Sequence, residues 1–248
     1  MDDITFQGRT LNGFAMLLLD LIIIALSITG LAIAGSCGDS IMSGGTFAAI
    51  CAICIIFLII GTIIPFGLMT VEPNQARAMV FFGKYRGTFT KTGFSWVNPF
   101  YAKKKISLRA RNINIDPIKV NDRNGNPVLV GLILVWKVSN VYKAIFEIDT
   151  QTMAAAISSS HKAGKEEATA VISGSAGRMA ALESFVRIQS DAALRQVAGN
   201  YAYECLGSGG QECVSLRNGG DTVNRELEQR LGERLEMAGI TVIEARIN

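Results

Sequence analysis

The sequence contains a single histidine, His161, and this scarcity excludes most histidine-dependent catalytic sites. His161 lies in the polar segment Ser158–Glu167, which has no aromatic or apolar anchor. A Ser-His-acid or Cys-His site needs its histidine to be held in place by neighbouring groups. We therefore predict that His161 is a solvated surface residue.

Motifs for phosphate, nucleotide or metal binding are also missing. Gly164-Lys165 lacks both the earlier glycine and the following Ser or Thr of a P-loop. The glycine-rich segment 206–210 does not have the dinucleotide-binding spacing, and Cys205 and Cys213 beside it have no histidine near them for zinc. We predict no catalytic residue, no cofactor and no metal, and therefore a protein that is not an enzyme.

Charge is nearly absent from two long segments in the first third of the chain. Thr46–Met69 has no charged residue, and Phe14–Ala34 has only Asp20. At about 1.5 Å per residue, each segment as a helix can cross a hydrocarbon core of about 30 Å. We predict a short cytoplasmic N-terminus (1–13), a transmembrane hairpin (14–70, with helices 14–34 and 46–69) and a globular domain (71–248).

A cleaved signal sequence or a lipoprotein anchor is the alternative for the first helix. Ala32–Ala34 resembles a signal-peptidase site, and the residues ending at Cys37 resemble a lipoprotein box. However, the apolar run is longer than the roughly 7–15 residues of a signal sequence. A retained first helix is therefore the preferred interpretation.

Asp20 is an ionisable residue at membrane depth, which suggests a function by default. Contact with the second helix or with a neighbouring subunit is the main interpretation. A proton or ion path is the alternative, and in that case Asp20 would line the lumen of a small channel built from many subunits.

Lysine and arginine are absent from the predicted connection Gly35–Gly45, whereas Arg9 precedes the first helix and Arg77, Lys84 and Arg86 follow the second. The positive-inside rule then places both termini in the cytoplasm. We expect a multi-pass protein of a bacterial inner membrane, with the globular domain on the cytoplasmic side.

Five cysteines do not form a disulfide framework here. Cys51 and Cys54 make a C-x-x-C motif, which in a soluble α/β protein would suggest redox chemistry. Both lie on one face of an uncharged apolar helix, where a thiolate is disfavoured. We interpret them as small packing residues.

Basic residues dominate the segment that follows the second helix. From Val71 to Arg111 there are nine Lys or Arg residues against one acid, Glu72. Such a segment near anionic lipid gains about 1 kcal/mol per base. Nucleic acid is disfavoured by the overall charge of +3 and the membrane tether, and a solvated face that only enforces topology is the remaining alternative. The predicted membrane-surface contacts are Lys103, Lys104, Lys105, Phe94, Trp96 and Phe100.

The residues after the second helix have the patterns of an α+β domain. Ala76–Phe82 predicts a strand that meets a turn, Ile106–Ile115 predicts a half-buried strand by its alternation, and Asn121–Pro127 predicts a turn before the strand Val128–Val138. Near the C-terminus, Asp221–Ala238 predicts an amphipathic helix that Gly239 ends, followed by a strand. The helix has an apolar residue at every fourth position, a repeat that drifts too fast for a coiled-coil seam, so it should pack on its own domain.

Residues 71–140 resemble the opening of an SPFH, or band-7, domain, the group of the stomatins, prohibitins and flotillins. The features that carry the resemblance are Val71-x-Pro73, the Phe82–Tyr85 turn, Gly93-Phe94 leading to Pro99-Phe100, Leu108-Arg109, and Asp122 with Asn126. The resemblance resumes in Asp191–Leu206 and Asn224–Asn248 and covers most of 71–248. It implies that Lys91–Phe100 forms a corner that brings apolar and basic side chains near the bilayer.

Two departures from the family pattern affect the predictions. Residues 153–182 are rich in Ala, Ser and Gly and are interpreted as an insertion, with a mobile helical excursion as the expectation. Relatives usually continue into a helical or coiled-coil region that drives ring assembly, and the sequence stops at Asn248, so self-association is expected to be weak.

The resemblance implies a membrane-anchored, non-enzymatic scaffold that organises membrane microdomains or regulates partner membrane proteins such as proteases. The expected partners are anionic membrane lipids and a membrane protease or other membrane protein, and not nucleic acid. A membrane-tethered hydrolase or redox enzyme is the alternative of another class, and a small channel is the third.

Overall fold

The computed structural model describes residues 3–37, 44–148, 175–204, 214–217 and 220–248. The chain divides into two compact units. The span unit comprises Thr5–Pro73 and Met79–Lys104, and the C-terminal unit comprises Met1–Ile4, Asn74–Ala78 and Lys105–Asn248. The predictions for His161, Cys205, Cys213 and residues 153–174 fall outside the described residues.

The span unit contains two long apolar helices, α1 (Gly13–Cys37) and α2 (Gly44–Ile63). Both helices are long and apolar enough to cross a membrane. Only 11% of the apolar stretch of the first helix and 6% of that of the second are buried. Ile64–Gly67 continues α2 as a 3₁₀ turn with Pro65 near its start, and Leu68 begins a strand. The predicted end of the second helix at Met69 therefore lies inside a strand, because proline cannot continue an α-helix.

Six strands follow or flank these helices. They are β1 (Leu11–Asn12), β2 (Leu68–Val71), β3 (Gln75–Phe81), β4 (Lys84–Phe89), β5 (Gly93–Trp96) and β6 (Tyr101–Ser107). They form two three-stranded sheets, β1-β5-β2 and β4-β3-β6. The boundary between the two units falls within β3 and within β6.

The core of the span unit is small and apolar. It consists of Met69, Val71, Met79, Phe89 and Val97, with Phe6 and Tyr101 packed against it. The Phe6 ring meets Phe89 and Tyr101 edge-on, at centroid distances of 6.3 and 5.4 Å. Burial of these side chains, at about 25 cal/mol per Å² of apolar surface, stabilises the sheets beside the helices.

The C-terminal unit is built on an antiparallel sheet of order β7-β8-β9, with β7 at Arg111–Asn121, β8 at Pro127–Val138 and β9 at Ile240–Ile247. A break in the register at Asp116-Pro117 fits proline, which has no N–H for a ladder. The chain leaves β6 at Ser107 and enters β7 at Arg111, so the single strand predicted over Ile106–Ile115 is wrong. The predicted turn and the two later strands are confirmed.

Helix α3 (Ser175–Ala198) and helix α4 (Gly220–Glu236) complete this unit, together with a π-helical turn at Lys143–Glu147. The first part of α3 corrects the predicted insertion. Met179, Ala181 and Leu182 are buried in the core, so residues 175–182 belong to a packed helix and not to an excursion.

The amphipathic stripe of α4 is confirmed. Its apolar residues expose no more than 1% of their surface, and the helix packs on β9. Gly239 ends the helix with φ +64, the left-handed conformation that favours glycine. The buried residues of the stripe are Val223, Leu227, Leu231 and Leu235.

Side chains from the two helices cover both edges of the sheet. Arg187 and Arg195 of α3 donate hydrogen bonds to the backbone carbonyls of Asn114 and Lys119 in β7. Asn224 and Glu228 of α4 accept hydrogen bonds from the backbone N–H groups of Ile247 and Ala245 in β9. Helix side chains thus donate to carbonyls at the β7 edge and accept from N–H groups at the β9 edge. These bonds protect both edges from the addition of another strand. The arrangement confirms the predicted α+β class.

Candidate membrane-base site

The strand β5 connects the ends of both apolar helices. It pairs with β1, which immediately precedes α1, and with β2, which follows α2 through the 3₁₀ turn. Trp96 lies opposite Leu11 on one side and Leu68 on the other. Asn12, at the end of β1, accepts a hydrogen bond from the Phe14 N–H and so caps α1. We call this arrangement, with the residues that pack on β5, the base site.

Phe94 in β5 packs on the first residue of α1. A Cβ atom added to Gly13 would lie 2.5 Å from a ring carbon of Phe94, which leaves no space for a side chain. The ring of Phe14 meets Phe94 edge-on at a centroid distance of 5.0 Å. Close approach of α1 to β5 therefore requires glycine at position 13.

Trp96 packs on a glycine in the chain that leaves α2, as Phe94 packs on a glycine at the start of α1. A Cβ atom added to Gly67 would lie closest to the indole Nε1, 2.5 Å from the carbonyl oxygen of Val97 and 2.7 Å from the indole Cε2. The indole Nε1–H donates a hydrogen bond of 2.9 Å to the carbonyl of Ile64. This bond fixes the indole ring on the first residue of the 3₁₀ turn.

Lys103 completes the base site from β6. Its Nζ donates to the carbonyls of Phe66 and Gly67, at 2.8 and 3.1 Å. A cation is favourable at this position because carbonyl oxygens carry the negative end of the helix dipole. The base site thus joins the spans to the sheet through main-chain pairing, aromatic packing and a charge-assisted hydrogen bond.

The three predicted surface lysines have different environments. Lys103 binds to the end of the 3₁₀ turn. Because successive residues of a strand point to opposite faces, the side chain of Lys104 points away from the face that carries Lys103 and Lys105. Lys103 and Lys104 belong to the span unit, and Lys105 belongs to the C-terminal unit, where its carbonyl accepts a hydrogen bond from Arg178. All three side chains are half-buried.

Asp20 lies in the contact between α1 and α2. The residue is only 7% exposed, and a Cβ atom added to Gly61 of α2 would lie 3.6 Å from its Oδ1. Within the described part of the chain, this Oδ1 atom is buried without a hydrogen-bond partner. Gly13, Asp20, Ser27 and Ala34 repeat every seven residues and form the buried face of α1.

Cys54 also packs between the helices. A Cβ atom added to Gly30 would lie 2.9 Å from its Sγ, so the thiol fills the space that this glycine leaves. Cys51 and Cys54 are half-buried free cysteines. This geometry matches the interpretation of Cys54 as a packing residue.

Phe82 is a surface residue that the sequence predicted only as the end of a strand and part of a turn. It exposes 82% of its surface, and Phe100, one of the predicted membrane contacts, exposes 63%. The two rings stack at a centroid distance of 6.5 Å, with 21° between their planes. The signal in the sequence was the bulky residue directly before Gly83 in a turn, where a polar residue is usual.

Asp122 organises a polar turn in the C-terminal unit. Its carboxylate accepts hydrogen bonds from the N–H groups of Tyr203, Asn124 and Asn126 and from the Asn126 side chain. The bond from Tyr203, followed by those from Asn126 and Asn124, holds the pKa of Asp122 below its ordinary value in spite of burial. Both oxygens are engaged by donors, so Asp122 fixes the turn and does not offer a cation site. Among the residues with described positions, no cluster of three His, Cys, Asp or Glu side chains could hold a metal.

Two comparisons with known proteins bear on this architecture. The model of the family described as SPFH domain / Band 7 matches residues 69–248. The match begins inside β2 and therefore includes β5, β6 and every later strand and helix. A search of the curated proteins found no match.

Proposed function

The chain belongs to the SPFH domain / Band 7 family, and from this premise we propose that it is a membrane-anchored scaffold. In this role it organises membrane microdomains or regulates partner membrane proteins, such as membrane proteases. The family match and the two apolar helices together indicate membrane association.

The base site is the observation that carries this proposal. A tethered enzyme needs only a linker after its anchor, whereas a scaffold needs an anchor that is continuous with a sheet of the protein. Here β5 pairs on one side with the strand that enters α1 and on the other with the strand that leaves α2. Only the four residues Ile64–Gly67 separate α2 from β2. Such short connections transmit the position of the spans to the sheet.

Anionic lipid is the proposed ligand of the bases that the span unit carries outside its two apolar helices, which together we call the basic surface. Outside the spans, the described segments of the span unit contain six bases and one acid, Glu72. Three of the bases, Lys84, Arg86 and Lys91, are exposed. Each base near an anionic surface contributes about 1 kcal/mol. With the positive-inside rule, these residues support a cytoplasmic location of the domain at a bacterial inner membrane. The six bases are Arg9, Lys84, Arg86, Lys91, Lys103 and Lys104.

The test measures which lipids the full-length protein retains. The protein is reconstituted in nanodiscs of phosphatidylcholine and phosphatidylglycerol in equal parts, transferred to mild detergent, and its bound lipids are identified by mass spectrometry. We expect enrichment of phosphatidylglycerol in the wild type and its loss in a variant with Lys84, Arg86 and Lys91 all replaced by Glu.

A matched control reverses three exposed bases of the C-terminal unit, Arg123, Lys137 and Arg225, to Glu. This control should retain phosphatidylglycerol as the wild type does. Equal lipid composition in all three proteins would show that the basic surface only enforces topology. Enrichment lost in both variants would show a general charge effect and not a lipid-binding surface.

A further inference from the structure

The turn between β3 and β4 places a bulky aromatic residue in an unfavourable backbone conformation. Phe82 and Gly83 are its two central residues, with φ of +45° and +82°. Positive φ at both positions is what a type I′ turn requires, and Asn-Gly is its preferred sequence. Glycine and asparagine adopt this conformation readily, whereas a bulky residue there is a genuine outlier. The turn by itself therefore does not call for phenylalanine.

Packing does not require this phenylalanine either. Phe82 remains 82% exposed, although its ring contacts Phe81 edge-on at 4.7 Å and stacks on Phe100. Phe100 belongs to a different loop and is itself 63% exposed. We call the Phe82–Phe100 pair the aromatic tip. An exposed apolar group on a strained turn suggests a function outside the fold.

The aromatic tip lies close to the ends of the spans along the chain. Phe100 is three residues before Lys103, whose ammonium binds the carbonyls of Phe66 and Gly67 at the end of the 3₁₀ turn that follows α2. At a rise of about 3.3 Å per residue, three residues of extended chain reach at most about 10 Å. Lys84 follows the turn directly, and Lys104 lies on β6. Aromatic rings beside basic residues are typical of segments at the interface between hydrocarbon and water.

We propose that the aromatic tip inserts into the interfacial layer of the bilayer that α1 and α2 cross. Its ligand is the boundary between phospholipid headgroups and acyl chains. The inference rests on the proposed function and adds a third point of membrane attachment, which is apolar and does not depend on lipid charge. The base site fixes the sheet on the two helices, and the third point limits the tilt of the span unit relative to the bilayer.

The first experiment places a fluorescent ring at the tip of the full-length protein. Phe82→Trp and Phe100→Trp are reconstituted in neutral phosphatidylcholine vesicles, with and without brominated acyl chains as quenchers. The wild type in the same vesicles gives the emission of Trp96 and Trp136, which is subtracted from the emission of each variant. The control is Leu129→Trp, an equally exposed apolar position (72%) in the C-terminal unit.

We expect brominated lipid to quench the added emission at positions 82 and 100 at least about twofold more than at position 129. Equal quenching at all three positions would overturn the proposal. Emission at 82 that is shifted to the blue but not quenched would overturn it too, because this combination indicates a protein contact. Neutral lipid is used so that the result is independent of the basic surface. Loss of quenching with phosphatidylglycerol enrichment intact would therefore refute the aromatic tip and leave the proposed function standing.

The second experiment separates a lipid contact from a structural role. Phe82→Asn creates the favoured Asn-Gly turn, so we expect a higher midpoint of thermal unfolding in detergent. The same substitution combined with Phe100→Trp should reduce the lipid quenching at position 100. A stability gain with reduced quenching supports membrane insertion. A lower unfolding midpoint for Phe82→Asn would show that the ring serves the fold, and would overturn the proposal.

Discussion

Gly67→Ala tests whether the base site is as tightly packed as its geometry indicates. The φ of Gly67 lies outside the left-handed region, so alanine is excluded only by space. The new methyl group would lie closest to Trp96 Nε1, 2.5 Å from the Val97 carbonyl oxygen and 2.7 Å from Trp96 Cε2, so the ring and the carbonyl must both move. Overpacking of this kind costs about 1–3 kcal/mol. The shift also strains three hydrogen bonds, from Val97 N–H and Lys103 Nζ to Gly67 O and from Trp96 Nε1 to Ile64 O, each contributing about 1 kcal/mol.

The expected loss of roughly 3–5 kcal/mol exceeds the opposing effect of alanine, which stabilises by about 0.4–1 kcal/mol where it fits. Thermal unfolding of the full-length protein in detergent, followed by tryptophan fluorescence, should show a midpoint lowered by about 10 °C. Gly232→Ala is the matched control, since an added Cβ there meets nothing within 4 Å inside helix α4. The control should be unchanged or more stable. A Gly67→Ala protein as stable as wild type would refute the close packing of Trp96 on the end of α2.

Three further predictions concern the C-terminal unit and the membrane topology. Gly239→Ala should lower the unfolding midpoint, because φ is +64 and the added Cβ would lie 2.9 Å from the Asn140 side chain; an unchanged midpoint would contradict this packing. Asp122 has a lowered pKa in the folded state, so its contribution to stability is complete above the unfolded pKa of about 3.9 and is lost as the pH falls through the folded value. In Asp122→Asn, the free energy of unfolding, measured with denaturant, should therefore fall less steeply at acid pH than in the wild type. The same steepness in both proteins would argue against the hydrogen-bonded carboxylate. Reporter fusions at Asn248 should be active only as cytoplasmic markers and those at Ser40 only as external ones, and the reverse pattern would invalidate the positive-inside assignment.

Local patterns predicted most of the regular elements. Val128–Val138 is rich in branched residues and is a strand, and the fourfold repeat of α4 with Gly239 at its end gives a helix packed on its own sheet. Such signals depend only on neighbouring residues. The prediction over Ile106–Ile115 failed because alternation continued across the break between β6 and β7, where the chain changes partners.

The base site could not be predicted from local patterns. Its geometry depends on pairing between residues far apart in the sequence, such as Trp96 with Leu11 and with Leu68. Phe94 and Trp96 were predicted as membrane-surface contacts, but their glycine partners were not predicted. Small residues at positions 13 and 67 have no distinctive signal until the packing is known. Residues 175–182 were misassigned for a related reason, because their small side chains suit both a mobile helical excursion and a closely packed helix.

The pairing of β1 with β5 also constrains the order in which the protein is made. Leu11 leaves the ribosome before either apolar helix, yet its partner Trp96 follows more than eighty positions later. Loop closure over such a distance is slow unless the ends are already held near each other. On the proposed membrane anchoring, insertion of α1 and α2 as a hairpin would bring the ends of β1 and β2 together, so that β5 would need only to enter the gap between them. The lipid bilayer would then act as a template for the folding of the sheet.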